Sequence, residues 1–345
     1  MNFSMQLEQL DSERRKVDVD HFDITIRELV RMAESEELKR APVYQRKFRW
    51  NSTRESQLIE SLFLGLPVPS IFVATNSDGT WELVDGIQRV STLMHFVSED
   101  KKTIQYLEKG SNLELLGLEK LSLFNNLRFS DLPSSLQLGF MKRPIRLTAL
   151  SDKSDPIVRF DLFERLNSGG VVLTPQEVRM CIFRGRFAEF IRDLSEDTKF
   201  LEIIKLQAGK SNDGTREEVV LKFFAYFYNR ENFDKNVREF LNEYMLNATK
   251  NFDYEKGKDI FNKTVDTIYD LTKGKFLRKD YNLTPLNQLE AVMVGIASVI
   301  DYGKKVKTPP SDWIQDSILV KYSTRGTNTK SQFYGRINRV IEIFS

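Results

Sequence analysis

Asp85-Gly86-Ile87-Gln88-Arg89 gathers more chemical capacity into five residues than any other run of this chain. It stands where a strand pattern, Thr80 to Val84, gives way to a helix pattern through Val90, Leu93, Met94 and Val97. Helix N-termini expose unpaired N–H groups and carry partial positive charge, so such a turn suits an anion. Gly86 lets the backbone come close to a ligand. Arg89 can grip phosphate bidentately, and Asp85 can hold a metal ion or orient a water. Gln88 can position that water or bind a base, while Ser91 and Thr92 add hydroxyls. The same residues also suit a plain Asp-Gly turn, with Asp85 capping the helix and Arg89 in a surface ion pair.

Three other runs carry chemistry. Tyr44-Gln45-Arg46-Lys47-Phe48-Arg49-Trp50 interleaves aromatics with cations, which suits a nucleotide whose base stacks and whose phosphates meet charge. It suits equally an edge segment held by cation–π contacts. Phe163-Glu164-Arg165-Leu166-Asn167-Ser168-Gly169-Gly170 leads into Leu173-Thr174-Pro175-Gln176-Glu177-Val178-Arg179. This reads as helix, glycine loop and capped helix, either an anion nest or lid or a simple helix connection with a glycine cap. The third run is the C-terminal segment. Tyr302 to Ser345 holds eight basic residues against three acidic ones, among them Arg325, Lys330, Arg336 and Arg339. Ser323 to Ser331 there is small, polar and basic. It can take phosphate from nucleic acid, meet a protein partner, or be a solvated loop.

Composition removes other chemistries. Of 345 residues only two are histidines, His21 and His95, far apart and in unrelated contexts, so an HNH nuclease core is excluded. One cysteine, Cys181, leaves too few ligands for a Cys/His zinc site and permits no intramolecular disulfide. A reducing, cytoplasmic setting is expected. The net charge of +2 creates no global field toward nucleic acid. The N-terminus lacks a basic-then-apolar leader, and the apolar run Ala291–Ile300 is too short to span a bilayer, so no membrane partner is expected. With 41% hydrophobic and 29% charged residues the chain is globular, and its length suggests about two domains.

The elements that must position these residues follow from spacing. Residues 22 to 32, with Phe22, Ile24, Ile26, Leu29 and Val30 apolar, read as a short strand or turn entering a helix. Asn51, Ser52 and Thr53 offer N-caps for a helix through Leu58, Ile59, Leu62 and Phe63, stopped by Gly65 and Pro67. Ile71–Thr75 and Thr80–Val84 flank an Asn-Ser-Asp-Gly turn as a hairpin. Residues 100–140 are loop-rich, and Ile145–Ala149 is a candidate strand. Pro156–Leu166 reads as a helix. Thr174-Pro175-Gln176-Glu177 is a capping box with proline at the first position. Beyond it, helical spacing recurs near 187–194, 216–229, 234–248, 257–271, 285–301 and 331–344. The expected class is α+β: an α/β domain over 1–150 and an all-helical domain over 151–345.

Taken together and in order, these runs resemble the N-terminal domain family of GmrSD-type restriction enzymes, in the ParB/sulfiredoxin-like superfamily. The resemblance rests on Tyr44-Gln45-Arg46 with Trp50, Gly65-Leu66-Pro67-Val68-Pro69 and Asp85-Gly86-Ile87-Gln88-Arg89-Val90-Ser91-Thr92. Phe163-Glu164-Arg165-Leu166-Asn167-Ser168-Gly169-Gly170 and Leu173 to Arg179 complete it. It runs from about residue 20 to about residue 190 and is specific as a set. Ile87 stands where several members have a second glutamine.

The resemblance implies a ParB-like α/β domain that binds, and is expected to hydrolyse, a nucleoside triphosphate with Mg²⁺, an activity coupled to DNA in the restriction and anti-phage members. Residue by residue, it places Asp85, Gln88 and Arg89 in catalysis, with Asp85 also as metal ligand. Tyr44, Gln45, Arg46, Trp50, Gly86, Ser91, Thr92, Arg165, Asn167, Gly169 and Gly170 would contact the nucleotide. With no HNH domain, a separately encoded nuclease or a HEPN-type protein is the expected effector, and a homo-oligomer is compatible with the sequence. Two alternatives stand beside this reading. A stand-alone ParB-like nuclease would use Asp85, Glu82, Glu164 and Glu177 as metal carboxylates. A non-catalytic, antitoxin-like module would bind DNA or a partner.

Overall fold

The structure is a computed structural model that describes residues 4–14, 18–40, 50–76, 78–151, 154–166, 174–208, 210, 213–234 and 236–345. The chain divides into two compact units, Met1–Val172 and Leu173–Ser345.

The first unit runs α1 (Ser4–Arg14), β1 (Val19–Thr25), α2 (Ile26–Glu34), β2 (Leu38–Arg40), α3 (Ser52–Leu64), β3 (Ile71–Thr75) and β4 (Trp81–Asp85). It continues through α4 (Ile87–Val97), α5 (Lys101–Tyr106), α6 (Ser134–Met141), β5 (Pro144–Leu150) and α7 (Pro156–Leu166). Five strands form one mixed sheet in the order β1-β5-β3-β4-β2. β1 pairs antiparallel with β5, and β3 antiparallel with β4. The β3–β5 and β2–β4 pairs are parallel. The β3–β4 register shifts between Phe72 and Val73, which brings Asp85 opposite Phe72 at the end of the hairpin. α2, α3 and α4 pack their apolar residues with the sheet's inner positions, including Leu29, Ile59, Leu93, Phe96, Val73 and Leu147.

Local chemistry explains the borders. Asn51 caps α3 by accepting from the Arg54 amide, and Gly65 ends it at φ 74°. β2 was not legible in the sequence: three residues long, it exists through its pairing with β4.

The second unit is helical: α8 (Pro175–Ile182), α9 (Arg186–Ser195), α10 (Thr198–Ile203), α11 (Thr215–Asn229), α12 (Val237–Ala248), α13 (Tyr254–Thr272), α14 (Leu286–Asp301), α15 (Ser317–Tyr322) and α16 (Lys330–Phe344). The Thr174–Glu177 capping box forms as expected. α14 is buried nearly all round, and α16 crosses it so closely that a Cβ on Gly295 would lie 2.5 Å from Val340 Cγ1. Among the described residues no helix is long and apolar enough to cross a membrane.

Candidate functional site

β4 delivers Asp85 to the point where α4 begins, and Gly86 makes the turn between them. At φ 101° Gly86 occupies backbone space that L side chains rarely adopt. A Cβ there would also stand 3.1 Å from Ile71 Cγ1. Gly86 at the N-cap position makes no side-chain cap to α4. Val90 N–H closes the first turn on the Gly86 carbonyl at 2.9 Å, and it is this end of α4 that the sequence reading assigns to an anion.

The helix-capping role open to Asp85 in the sequence is not taken. Asp85 accepts instead from Arg89, Nη2 to Oδ2 at 2.6 Å, with the two side chains 24% and 12% exposed. Arg89 Nη1 donates to the Ser70 carbonyl at 3.0 Å and to the Pro69 carbonyl. Burial presses the Arg89 pKa below the usual arginine value, and Asp85 pulls against that shift. The guanidinium stays charged at neutral pH and acts as a clamp between the turn and the Gly65–Pro69 loop.

Gln88 is 9% exposed, and its Oε1 accepts from the Trp50 amide at 3.2 Å. Three runs far apart in sequence therefore meet at the start of α4. The aromatic–cationic run arrives through Trp50, the Gly-x-Pro-x-Pro loop through Pro69, and the Asp-Gly-Ile-Gln-Arg turn is α4 itself. Arg54 of α3 lies over the Trp50 ring at 4.8 Å, a cation–π contact.

Ser91 and Thr92 do not present hydroxyls at this turn. They are 3% and 0% exposed, and Thr92 Oγ1 donates to the Gln88 carbonyl at 2.8 Å. α4 is buried on nearly every side, so its second turn serves the core. Arg165 is exposed on the last turn of α7, and no hydrogen bond or ion pair joins it to the turn. Tyr44, Gln45, Arg46, Asn167, Gly169 and Gly170 lie outside the described residues.

Both histidines have polar partners of their own. His95 is 4% exposed; its Nδ1 lies 2.5 Å from Glu55 Oε2 and its Nε2 2.8 Å from the Ser111 carbonyl. Lys109 Nζ stands 3.3 Å from Glu55 Oε1, completing a buried cluster. Sequence reading missed it because Glu55 sits at an ordinary helical position. His21 Nδ1 lies 3.1 Å from Thr148 Oγ1.

Among the described residues no three His, Cys, Asp or Glu side chains are grouped to hold a metal ion. The carboxylates Asp85, Glu82, Glu164 and Glu177 therefore form no such group, and Glu177 is spent on the capping box. A single carboxylate beside uncapped helix amides does fit Mg²⁺ carried in by a phosphate, since that ion takes one or two protein carboxylates and keeps the rest for water and phosphate.

In the second unit, Arg179 of the capped helix is 1% exposed. Its Nε donates to Asn242 Oδ1 at 2.8 Å, and its Nη1 to Gln176 Oε1 at 3.1 Å and Glu218 Oε2 at 3.3 Å. Of the four cations assigned to the basic segment, Arg325 and Lys330 are exposed. Arg336 is 2% exposed, with its guanidinium 5.3 Å from the Phe333 ring and Nη1 on the Thr327 carbonyl. It falls on the buried stripe with Phe333, Ile337 and Val340. Arg339 holds Asp316 through Nε at 3.1 Å and Nη2 at 2.8 Å, and Glu342 through Nη1 at 2.9 Å. Of those four residues, two face solvent and two are taken up by contacts within the unit.

Residues 26–184 match the model of the family described as GmrSD restriction endonuclease, N-terminal domain. No curated protein and no solved structure matches the chain. The matched segment contains the strand-to-helix turn, the residues that hold it, and every run on which the resemblance rests. Over residues 26 to 184, then, this chain carries a GmrSD-type N-terminal domain.

Proposed function

We propose that this protein is a nucleotide-binding component of a restriction-type defence system, acting on DNA through a separately encoded effector. One observation carries the reading. In a domain of a restriction endonuclease family, an uncapped helix N-terminus opens on a glycine at positive φ, flanked by Asp85 and Arg89. The α4 amides would receive phosphate oxygens. Asp85 would hold Mg²⁺ or orient water, and Gln88 would sense the nucleotide through its link to Trp50. Magnesium would supply charge neutralisation at the phosphates. The rest is positioning and electrostatics, as phosphoryl transfer requires. For Arg89 to meet phosphate it must exchange Asp85, Pro69 or Ser70 as acceptors, so nucleotide entry would loosen the clamp between α4 and the Gly65–Pro69 loop. We further propose that the ParB-like fold class applies to the first unit and that the helical unit carries partner or DNA contacts.

The test is binding and hydrolysis of each nucleoside triphosphate by the full chain, with Asp85→Ala as control and with and without DNA. Hydrolysis lost in Asp85→Ala supports the reading. No binding of any triphosphate rejects it. The occupied state of Gln88 and Arg89 favours a second reading, a sensing module that binds nucleotide without hydrolysing it. Binding with no phosphate release would select that one.

A further inference from the structure

We propose that the helical unit contains a nucleobase-binding site, in the hollow where the C-terminal ends of α11 and α12 meet the start of α13. The hollow has a volume of about 300 Å³ and is lined by Tyr228, Tyr244, Phe252, Asn229, Asn247 and Asn251, with Ala248, Asp253 and Lys256. It lies outside the matched segment and shares no residue with the strand-to-helix turn. Its size is that of a small-ligand site, and it combines apolar walls with a few polar groups, as such sites do.

The walls are rigid aromatics. Tyr228 meets Phe252 edge-on at 6.0 Å and stacks on Phe224 at 6.3 Å. Phe252 is itself braced by Phe187 at 4.8 Å and Phe224 at 5.3 Å. Flat faces held this way receive a π-system without an ordering cost of their own. Ala248, one turn from Tyr244 on α12, adds little bulk to the lining.

The polar groups include two carboxamides open to a ligand. Asn247 and Asn251 are exposed, and among the described residues neither carboxamide makes a hydrogen bond. Each offers a donor and an acceptor, the pairing that reads the hydrogen-bonding edge of a base. Tyr228 adds a hydroxyl whose pKa burial pushes up to about 12, with Asp301 and Asp253 adding to the shift, so it remains a donor at neutral pH. The charges nearby are spent. Asp253 accepts from the Lys256 amide to cap α13, and Lys256 Nζ faces Asp301 at 3.5 Å. Unspent amides and phenols between aromatic faces select a neutral, planar, edge-polar ring over a bare phosphate.

The base can come from a free nucleoside or from an unstacked position in a single strand. Calorimetry on the full chain distinguishes them, using five nucleosides (adenosine, guanosine, cytidine, uridine and thymidine) and a mixed-sequence single-stranded 12-mer. The same titrations on Asp85→Ala, set beside those on the two variants of the hollow below, tell this site from the strand-to-helix turn. The expected result is saturable binding, one site per chain, that persists in Asp85→Ala. Asn251→Ala, an exposed side chain with no structural partner, should weaken it about fivefold. Tyr228→Ala should weaken it on the order of tenfold or more. Binding of the 12-mer alone, with the same dependence on Asn251 and Tyr228, assigns the site to a strand. The proposal is overturned if neither nucleosides nor the 12-mer bind. It is equally overturned if binding ignores both substitutions in chains whose circular dichroism is unchanged, or if glucose binds at this hollow more tightly than any nucleoside.

Discussion

Replacing Arg89 by alanine tests whether the guanidinium holds the turn. In the structure it serves three acceptors: Asp85 Oδ2, and the carbonyls of Pro69 and Ser70. The charge-assisted bond to Asp85 contributes about 1.5–3 kcal/mol and each carbonyl bond about 1 kcal/mol. Water can reach the Pro69 side, and Asp85 is 24% exposed, so part of this is recovered by solvent. The expected loss is about 2–3 kcal/mol, which for a unit of this size lowers Tm by about 4–12 °C. Arg89→Lys should lose roughly half as much, because an ammonium keeps the charge but not the fork. The assay is urea unfolding followed by tryptophan emission, two of the three tryptophans, Trp50 and Trp81, lying in the first unit. Hydrogen exchange of the 87–97 peptide adds a local readout that does not depend on both units unfolding together. A change within about 0.5 kcal/mol, the range of ordinary surface substitutions, with unaltered exchange in α4, refutes the clamp. Intact stability with lost triphosphate affinity would instead make Arg89 a ligand contact.

Gly86→Ala should destabilise the first unit by about 1–3 kcal/mol through backbone strain, with the Ile71 contact adding to it; a midpoint equal to wild type in urea would contradict the turn geometry. Gly295→Ala should cost about 1–3 kcal/mol by overpacking against Val340, and Gly295→Ala/Val340→Ala should recover stability relative to the single change, a coupling readable from a double-mutant cycle. Burial raises the Glu217 pKa above the ordinary glutamate value. A raised carboxyl pKa means that the folded state binds its proton more tightly, so the cost of the ionised form grows as pH rises through the unfolded pKa and is fully present above the folded one. Glu217→Gln is therefore expected to raise Tm at pH 7 and to lose that advantage near pH 3.5, which calorimetric scans at the two pH values will show.

Much of this architecture was readable before the structure. Asn51, Gly65 and the Thr174–Glu177 box announce their helix borders because capping is local chemistry. Ile71–Thr75 and Trp81–Asp85 announce a hairpin because β-branched and aromatic residues flank a turn. What escaped was whatever depends on distant partners. The Trp50 amide and Gln88 are 38 residues apart, and no spacing rule joins them. Ser91 and Thr92 look like ligand hydroxyls when only their neighbours in sequence are considered, yet α4 is enclosed and they face the interior. Arg336 was read by its charge. Its place three residues after Phe333 and four before Val340 sets it on the apolar stripe, and that signal was present in the sequence.

Arg179 sets where this chain can be cut or recombined. It belongs to the matched family segment, which stops at residue 184, but Asn242 and Glu218, which take its guanidinium, lie beyond that end. A fragment trimmed to the family boundary would expose a buried arginine and the apolar face of α8 to solvent, so it should precipitate or be degraded rather than behave as an independent module. Chimeras between relatives face the same rule. A crossover placed after residue 184 exchanges the acceptors of Arg179 for another chain's, whereas one placed between the units near residue 172 carries the arginine and its partners together. The segment of shared ancestry and the compact unit of the structure are offset here by about one helix.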